Sequence, residues 1–231
     1  EIWKWLYKNR HLIEEADIVH CHDVFIWYLP FRFLYPFKKV FTTFHGWGGV
    51  YPIPLKEKLL VKLANLLSNK TIVIGKYIEK YYGIKSHRVF HGATDLRFKN
   101  YDLRKTSRTV LYLGRLEKDT GLLEFLKWLN IPKNKKYQVD FAGDGSLKEL
   151  CMRYGRVLGF VDPTNFLQRA EICVPGGYLS YIEAKSYKCK IMPFANNPLK
   201  EDYWKEIEKI KSFPTWDEIA NACIRLYHSK R

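Results

Sequence analysis

Short runs of apolar residues alternate with longer segments of helical spacing along most of this chain. Nine of these runs have the length of a strand and stop at glycine, proline or polar residues. They lie at residues 17–21, 40–44, 71–75, 88–91, 109–114, 137–142, 156–158, 171–174 and 190–193. Strands separated by helices usually form parallel sheets, so the pattern predicts an α/β fold.

Helical spacing of apolar residues predicts helices between these strands. They are expected at residues 2–16, 55–68, 121–129, 146–154, 180–187, 200–210 and 215–228. Thr215 and Glu218 have the spacing of a capping box, which would start the last helix. The polar segment 95–108 lacks periodicity, and we interpret it as a linker between domains at 1–97 and 107–231. This division leaves open whether the last helix packs back on the first domain.

The aromatic segment at residues 24–37 has two interpretations. It is too short to cross a bilayer and contains two prolines, Pro30 and Pro36. The first interpretation is a core helix followed by a turn under the first sheet. The second is an exposed apolar surface that meets a membrane or a lipid-linked acceptor.

The charge of the chain narrows the class of partner. With 231 residues and 47% hydrophobic residues it can bury a core, and its net charge of +15 favours polyanions. Lysine and arginine are scattered along the whole chain, so we expect no specific nucleic-acid partner. Phosphate-bearing substrates and an anionic membrane surface remain as partners.

Cysteine usage and hydropathy indicate a cytoplasmic protein that is peripheral if it meets a membrane at all. The five cysteines form no pair with C-x-x-C spacing, which fits a reducing compartment. No segment reaches the ~18 apolar residues that span a bilayer. The chain opens on Glu1 rather than Met, as a fragment or a trimmed chain would.

A glycine pair at a strand-to-helix junction is the strongest local signal. The apolar run 171–174 stops at Pro175, Gly176 and Gly177, and helical spacing follows with Glu183 in the second turn. Glycines allow a ligand to approach the backbone closely, and a helix N-terminus carries partial positive charge. The junction therefore predicts a cradle for a diphosphate, with Glu183 in reach of sugar hydroxyls.

Taken in chain order, the motifs resemble one family. These are the retaining, nucleotide-sugar-dependent glycosyltransferases of the GT-B architecture, specifically the family 4 (group 1) set. The first half contributes residues 17–23, 42–46, 71–75 and 91–98, and the second half contributes 113–121, 141–145, 157–161 and 177–184. The resemblance implies two Rossmann-like parallel-sheet domains facing a cleft. The first would be an acceptor-side domain, incomplete here, and the second would bind the nucleotide sugar.

The resemblance also implies roles for individual residues. His45 and Arg115 would be catalytic, and Gly46, Trp47 and Gly48 would shape the acceptor side. Residues expected to bind the donor are Gly114, Arg115, Lys118, Phe160, Val161, Gly176, Gly177, Tyr178, Leu179 and Glu183. The implied reaction moves a sugar from a nucleotide-diphosphate sugar to a sugar or lipid-linked acceptor, with retention of configuration.

Three departures from the family pattern keep other functions open. Thr120 stands where the family has a lysine, Pro175 stands where it has a first glutamate, and the early glycine-rich loop is absent. A non-catalytic protein that binds a sugar, a nucleotide or a membrane surface would tolerate these changes. A nucleotide-sugar epimerase of the same architecture is a further alternative.

We expect no metal and no separate cofactor. The chain has no D-x-D motif, and Arg115 with a helix N-terminus can stabilise a diphosphate without a metal ion. His20 and His22 share one face of a strand, but a second pair of ligands for tetrahedral zinc is not evident. Lys148 occupies the third glycine position of a dinucleotide fingerprint, which disfavours a nicotinamide cofactor.

Overall fold

A parallel sheet of four strands organises the first of two structural units. The computed structural model describes residues 1–93 and 104–229. The first unit comprises Glu1–Ala93 together with Pro214–Arg231, and the second comprises Thr94–Phe213. The predicted linker falls largely outside the described residues, so the predicted domain limits of 97 and 107 stay predictions.

The strands of the first sheet follow one another in chain order, each parallel to the next. They are β1 (Ile18–His22), β2 (Lys39–Phe44), β3 (Lys70–Val73) and β4 (Arg88–Val89). Two helices precede the strands, α1 (Ile2–Lys8) and α2 (His11–Glu15), and three lie between them, α3 (Phe25–Leu34), α4 (Leu55–Leu67) and α5 (Lys76–Tyr82). Buried β2 and β3 carry near-continuous apolar or β-branched residues, as parallel strands covered on both faces require.

The second sheet has five parallel strands, but its order reverses. The strands run β7-β6-β5-β8-β9 across the sheet. They are β5 (Thr106–Leu113), β6 (Gln138–Ala142), β7 (Arg156–Gly159), β8 (Ala170–Pro175) and β9 (Lys190–Ile191). Its helices are α6 (Leu122–Leu129), α7 (Lys148–Cys151), α8 (Thr164–Arg169), α9 (Tyr178–Ser186) and α10 (Pro198–Glu208). All nine predicted strands are therefore confirmed, and with them the parallel α/β class.

The last helix, α11 (Trp216–His228), follows the second unit in sequence but belongs to the first. Leu226 packs with Phe41 and Ile72 in the core under the first sheet. The predicted capping box is confirmed, since the Glu218 amide donates to Thr215 Oγ1 at 3.2 Å and Thr215 N–H donates to the Glu218 carboxylate at 2.8 Å. The helix thus has a fixed start and a buried face.

Two helix predictions need correction, and two helices were missed. The helix expected at 2–16 is interrupted at Asn9 and Arg10, where the Asn9 side-chain amide donates to the carbonyl of Trp5 and competes with the helical pattern. The helix expected at 146–154 is reduced to α7, which lies in a series of turns. Helices α5 and α8 were not predicted, because seven- and six-residue helices show too few periods to be distinguished from loops.

The aromatic segment at 24–37 forms a helix with a buried side, as the first interpretation predicts, and it also leaves aromatic side chains exposed. Helix α3 buries Phe25, Tyr28 and Phe31 on its inner side. Phe33 lies on the outer side, and Phe37 beyond the helix is 98% exposed. One face therefore belongs to the core, while the other leaves aromatic area open at the surface.

Candidate functional site

The second sheet reverses its strand order between β5 and β8, and this position is where open parallel sheets bind ligands. Strands on one side continue to β6 and β7, and those on the other continue to β9. At such a switch point the loops leaving the two central strands diverge, which opens a crevice at the carboxyl ends. Leu113 pairs with Pro175 at the end of this strand pair. The loops that follow begin with Gly114 and Gly176.

These loops meet so closely that side chains are excluded. Gly114 has φ +150°, and a Cβ there would lie 2.8 Å from the Cα of Gly176. Gly143 has φ +151°, and its Cβ would lie 1.9 Å from the carbonyl oxygen of Gly114. The Gly114 amide donates to Ala142 and the Gly176 amide donates to Leu113, at 3.0 and 2.8 Å. The floor of the crevice is therefore made of backbone atoms.

Helix α9 begins at this crevice, with Gly177 as its N-cap. The Ser180 hydroxyl accepts a hydrogen bond from the Gly177 amide at 3.1 Å and donates to its carbonyl at 2.9 Å, which fixes the first turn. Leu179 in that turn is 61% exposed. Tyr178 is half-buried against Phe213, and burial raises its pKa to about 12. The positive end of the helix dipole thus faces the glycine loops.

Arg115 extends from the loop after β5 and is exposed. Its guanidinium donates to the carboxylate of Asp119 at 2.7 Å, an i,i+4 pair on the surface. Such a pair contributes at most ~1 kcal/mol, so an incoming phosphate can displace Asp119 at small cost. Lys118, in the short 3-10 turn before α6, is also exposed. Two exposed cationic side chains therefore lie in the segment that follows β5.

Thr120 points away from this surface. It is buried, its hydroxyl donates to the carbonyl of Glu117 at 2.6 Å, and it lies 2.7 Å from the hydroxyl of Tyr112. This pairing ties the turn after Arg115 to the core of the sheet. The residue at the position of the family lysine consequently has a structural role here.

Lys200 on α10 is a site residue that the sequence did not reveal. It is only 5% exposed, and its Nζ donates to the carbonyl of Gly176 at 3.3 Å. Burial lowers its pKa to about 8, an effect that Asp119 opposes and Arg115 reinforces. A cation lies directly beneath the glycine pair, where the sequence indicated only a helix surface.

Glu183 and the loop after β7 form another part of the same unit. Glu183 is half-buried on α9, and its pKa is raised by burial and then by the charge of Asp162. Phe160 is 86% exposed and Val161 is partly exposed, so neither side chain belongs to the core. An exposed phenyl ring can stack on a base, and a partly desolvated carboxylate can accept hydrogen bonds from a ribose.

His45 in the first unit follows β2 and is held by two neighbours. Its Nε2 lies 2.8 Å from Nδ1 of His22, and its amide donates to the carboxylate of Asp23 at 2.7 Å. Asp23 has φ +60°, a conformation that costs about 1 kcal/mol in a residue with a side chain. The turn after β1 is therefore strained into a position that orients His45.

His20 completes a cluster of three imidazoles at this edge. It lies 2.6 Å from the Tyr227 hydroxyl and 2.8 Å from the Thr43 hydroxyl. Burial, with help from His22 and His45, lowers the pKa of His20 to about 4, and the pKa of His22 is lowered for the same reason. Within the described residues no group of three or more His, Cys, Asp or Glu side chains could hold a metal ion.

Gly46, Trp47 and Gly48, the residues predicted to shape an acceptor site, follow β2 in the first unit. They line a cavity of about 300 Å³ together with apolar residues of α3 and α4. Asp23 and Glu57 contribute the carboxylates of its wall, and Glu57 accepts a hydrogen bond from the Gly48 amide at 3.2 Å. The cavity is apolar in its depth and acidic at two points.

Another cavity, of about 570 Å³, lies at the opposite edge of the second sheet. Two of its charged residues pair with each other, because Arg156 donates twice to Asp140, at 3.0 Å in each case. We assign it no ligand. Across the residues described, no helix combines the length and apolar character needed to cross a membrane.

Known proteins share the fold of this chain rather than its sequence. No family model and no curated protein sequence matches it. A TarM mutant from S. aureus, in complex with fondaparinux, alpha-GlcNAc-glycerol and UDP, has a TM-score of 0.63 at 15% identity. That match covers 99% of this chain and 58% of TarM.

Two further structures have the same fold. The lipopolysaccharide outer core galactosyltransferase WaaB has a TM-score of 0.55 at 17% identity, covering 97% of this chain and 68% of WaaB. A glycosyltransferase from Rickettsia africae ESF-5 has a TM-score of 0.54 at 17% identity, covering 98% and 69% of the two chains. The chain is thus shorter than each of these proteins, and its two parallel-sheet units have the fold of GT-B glycosyltransferases.

Proposed function

We propose that this chain is a glycosyltransferase that takes a sugar from a nucleotide-diphosphate sugar. The observation that carries the proposal is the switch point of the second sheet. There the Gly114 and Gly176 backbones meet, α9 begins directly after them, and Arg115 follows Gly114 in the chain. Backbone amides, a helix dipole and a planar cation together form a site for phosphate oxygens.

The chemistry of transfer requires that charge on the departing diphosphate be stabilised. We propose that Arg115 and Lys118 supply this stabilisation with the α9 N-terminus, and that no divalent ion is needed. On binding, Arg115 would exchange Asp119 for a phosphate oxygen. Glu183 would accept hydrogen bonds from the ribose, and Phe160 and Val161 would contact the base. Activity is expected to be unchanged in the presence of EDTA.

The acceptor side is proposed to be formed by the first unit. His45, held by His22 and Asp23, would contact the donor sugar near the reacting carbon. Gly46, Trp47 and Gly48 would receive the acceptor in the adjoining cavity. We further propose retention of configuration by reaction on one face of the sugar, as the likeness to family 4 implies. This route needs no protein nucleophile.

A lipid-linked acceptor at an anionic membrane surface is the remaining part of the proposal. The exposed side chains of Trp3, Trp5 and Phe37 and the net charge of +15 support it. Sedimentation with vesicles containing anionic lipid, at low and high salt, tests it. Binding that is absent, or that does not weaken with salt, would contradict it.

The donor proposal is tested by calorimetric titration with UDP, GDP and ADP and with their nucleosides. Arg115→Ala should weaken binding of the preferred nucleoside diphosphate by about tenfold or more, because a charge-assisted hydrogen bond is lost. Binding of the nucleoside should change less than twofold. Arg153→Ala, at an exposed arginine beyond α7, serves as the matched control. Failure of all three diphosphates to bind the wild-type chain would refute the proposal.

A second candidate is a relative that binds the nucleotide sugar without transferring it. It is favoured by the inward orientation of Thr120 and by Pro175, which ends β8 in register with Leu113. Incubation with nucleotide sugars, with and without acceptor sugars, separates the possibilities. Transfer or hydrolysis above background excludes the non-catalytic candidate, and an isomerised nucleotide sugar as product identifies an epimerase.

A further inference from the structure

We propose that Lys200 binds the donor diphosphate from beneath the Gly176–Gly177 turn, as a buried phosphate-binding cation in addition to the exposed Arg115 and Lys118. The inference rests on the proposed function and names a residue for it. Its basis is the position of the Lys200 ammonium, which donates to the Gly176 carbonyl at 3.3 Å. The same turn supplies the N-cap of α9. A phosphate bound at that helix end would lie next to this ammonium.

The position of Lys200 is fixed by the start of α10. The Asn197 side chain caps this helix and accepts a hydrogen bond from the Lys200 amide at 2.9 Å. One turn later, Tyr203 and Trp204 are buried and lie beneath the ammonium, at 4.6 and 4.9 Å from the Nζ to the ring centroids. The long side chain is therefore directed inward, toward the glycine turn.

Charged side chains of both signs lie near Lys200. The fields of Asp119 and Arg115 both reach it. Asp119 is bonded to Arg115 at 2.7 Å. A diphosphate that replaced Asp119 at Arg115 would bring its negative charge within the field of Lys200 as well. Arg115 lies on the exposed side of this group and Lys200 on the buried side.

Stability alone does not account for a lysine at this position. Removing an ammonium from water costs several kcal/mol, and aromatic faces return only part of that. A methionine would fill the same space at lower cost, since buried ion-pair sites are often as stable with apolar replacements. Thr120 meanwhile presents no charge to the crevice. A cation retained under these conditions is best explained by the anion that it binds.

The protonation state of Lys200 provides a readout that does not depend on a variant. Its pKa of about 8 means that much of it is neutral at pH 8.5, and a bound diphosphate would raise that pKa. Of the other groups that face it, Tyr178 and Tyr203 have phenol pKa values that burial raises, so neither ionises at pH 8.5. Diphosphate binding at pH 8.5 should therefore take up a proton.

The experiment uses whichever of UDP, GDP and ADP binds the wild-type chain most tightly, with its nucleoside. Calorimetry in buffers of different ionisation enthalpy measures affinity and proton uptake at pH 6.5 and 8.5. Lys200→Met should weaken diphosphate binding about tenfold or more, leave nucleoside binding within twofold, and abolish proton uptake. Lys205→Met is the control, because Lys205 lies exposed on the same helix and pairs with Glu201 at 3.7 Å.

The outcomes separate this inference from the proposed function. If no diphosphate binds the wild-type chain, the proposed function and the inference both fail. If the diphosphate binds without proton uptake at pH 8.5, the inference fails and the function stands, even if Lys200→Met does not fold. A folded Lys200→Met chain that binds diphosphate as well as the Lys205→Met control would also overturn the role of Lys200.

Discussion

The two sheets end in edges of opposite construction. The edge of the first sheet is made of side chains, with three imidazoles linked to one another and to Thr43 and Tyr227. The edge of the second sheet is made of backbone, with Gly114 and Gly176 in contact and a helix N-terminus above them. Both are carboxyl edges of parallel strands, so strand direction alone does not decide what an edge can bind.

The difference follows from strand order. Among the described strands, the first sheet keeps one order from β1 to β4, so it has no switch point. The second sheet reverses between β5 and β8, and the diverging loops expose backbone amides there. A crevice lined by amides suits a phosphate, whereas the edge of the first sheet presents functional groups on side chains. The two edges also differ in charge at pH 7, because burial lowers the pKa of His20 to about 4 and leaves it neutral, whereas Lys200, with a pKa of about 8, is mostly charged.

The largest expected effect is a loss of stability when a side chain is placed among the glycines at the carboxyl edge of the second sheet. Gly143→Ala puts a methyl 1.9 Å from the Gly114 carbonyl oxygen and forces a positive φ on alanine. We expect the free energy of unfolding to fall by at least about 3 kcal/mol, the sum of backbone strain and overpacking. Urea unfolding measures this directly.

Gly177→Ala is the matched control for this effect. Its φ is −162°, an extended conformation open to any residue, and no atom lies within 4 Å of an added Cβ. Stability should stay within about 0.5 kcal/mol of the wild-type value. Diphosphate affinity should nevertheless fall several-fold, since the methyl occupies the approach to the helix end. Equal stability of the two variants would show that the glycine contacts do not hold this edge together.

At the edge of the first sheet, where the three imidazoles lie, we expect an effect of pH on the free energy of unfolding. The pKa of His20 is about 4 when folded and 6.5 when unfolded, so the unfolded chain binds the proton more readily. Stability should therefore decline as pH falls from 6.5 toward 4, by about 1–2 kcal/mol after allowance for partial exposure. His20→Gln keeps a polar side chain but cannot titrate. Urea midpoints at pH 7 and 4.5 should fall less in the variant, and parallel losses would contradict this origin.

The smallest expected effect concerns Glu183. Burial raises its pKa, so the stability present when it is protonated is lost as pH rises above its unfolded value. Glu183→Gln should therefore raise stability at pH 7, by about 0.5 kcal/mol or less at this half-buried position. The same variant should lose the preference for a ribonucleoside diphosphate over its 2′,3′-dideoxy form. If the variant retains this preference, Glu183 does not bind the ribose.

Most of the fold was predictable because it depends on local pattern. The strand runs of β5 and β8 stop at Gly114 and at Pro175, and both boundaries can be identified from composition alone. The capping-box spacing of Thr215 and Glu218 likewise predicts the start of α11. The glycine turns of the candidate site share this property, since close backbone approach requires a residue without a side chain.

The parts that were missed depend on contacts between distant segments. Lys200 is one of 39 lysines and arginines, and its burial arises only when α10 packs against the Gly176 turn. The pairing of His45 with His22 needs the register of β1 on β2, in which His22 faces Thr43 two residues before His45. Neither the packing nor the register can be derived from spacing within one segment.

The membership of α11 in the first unit has a consequence for synthesis on the ribosome. Phe41 and Ile72 emerge early, but Leu226, which packs against them, follows only after residues 94–213 have been translated. At roughly 5–20 residues per second this delay is on the order of ten seconds. During that interval part of the apolar core of the first sheet stays uncovered. The second unit, by contrast, is one continuous segment of the chain. Nascent chains of this protein should thus be most vulnerable to aggregation in the half that was made first.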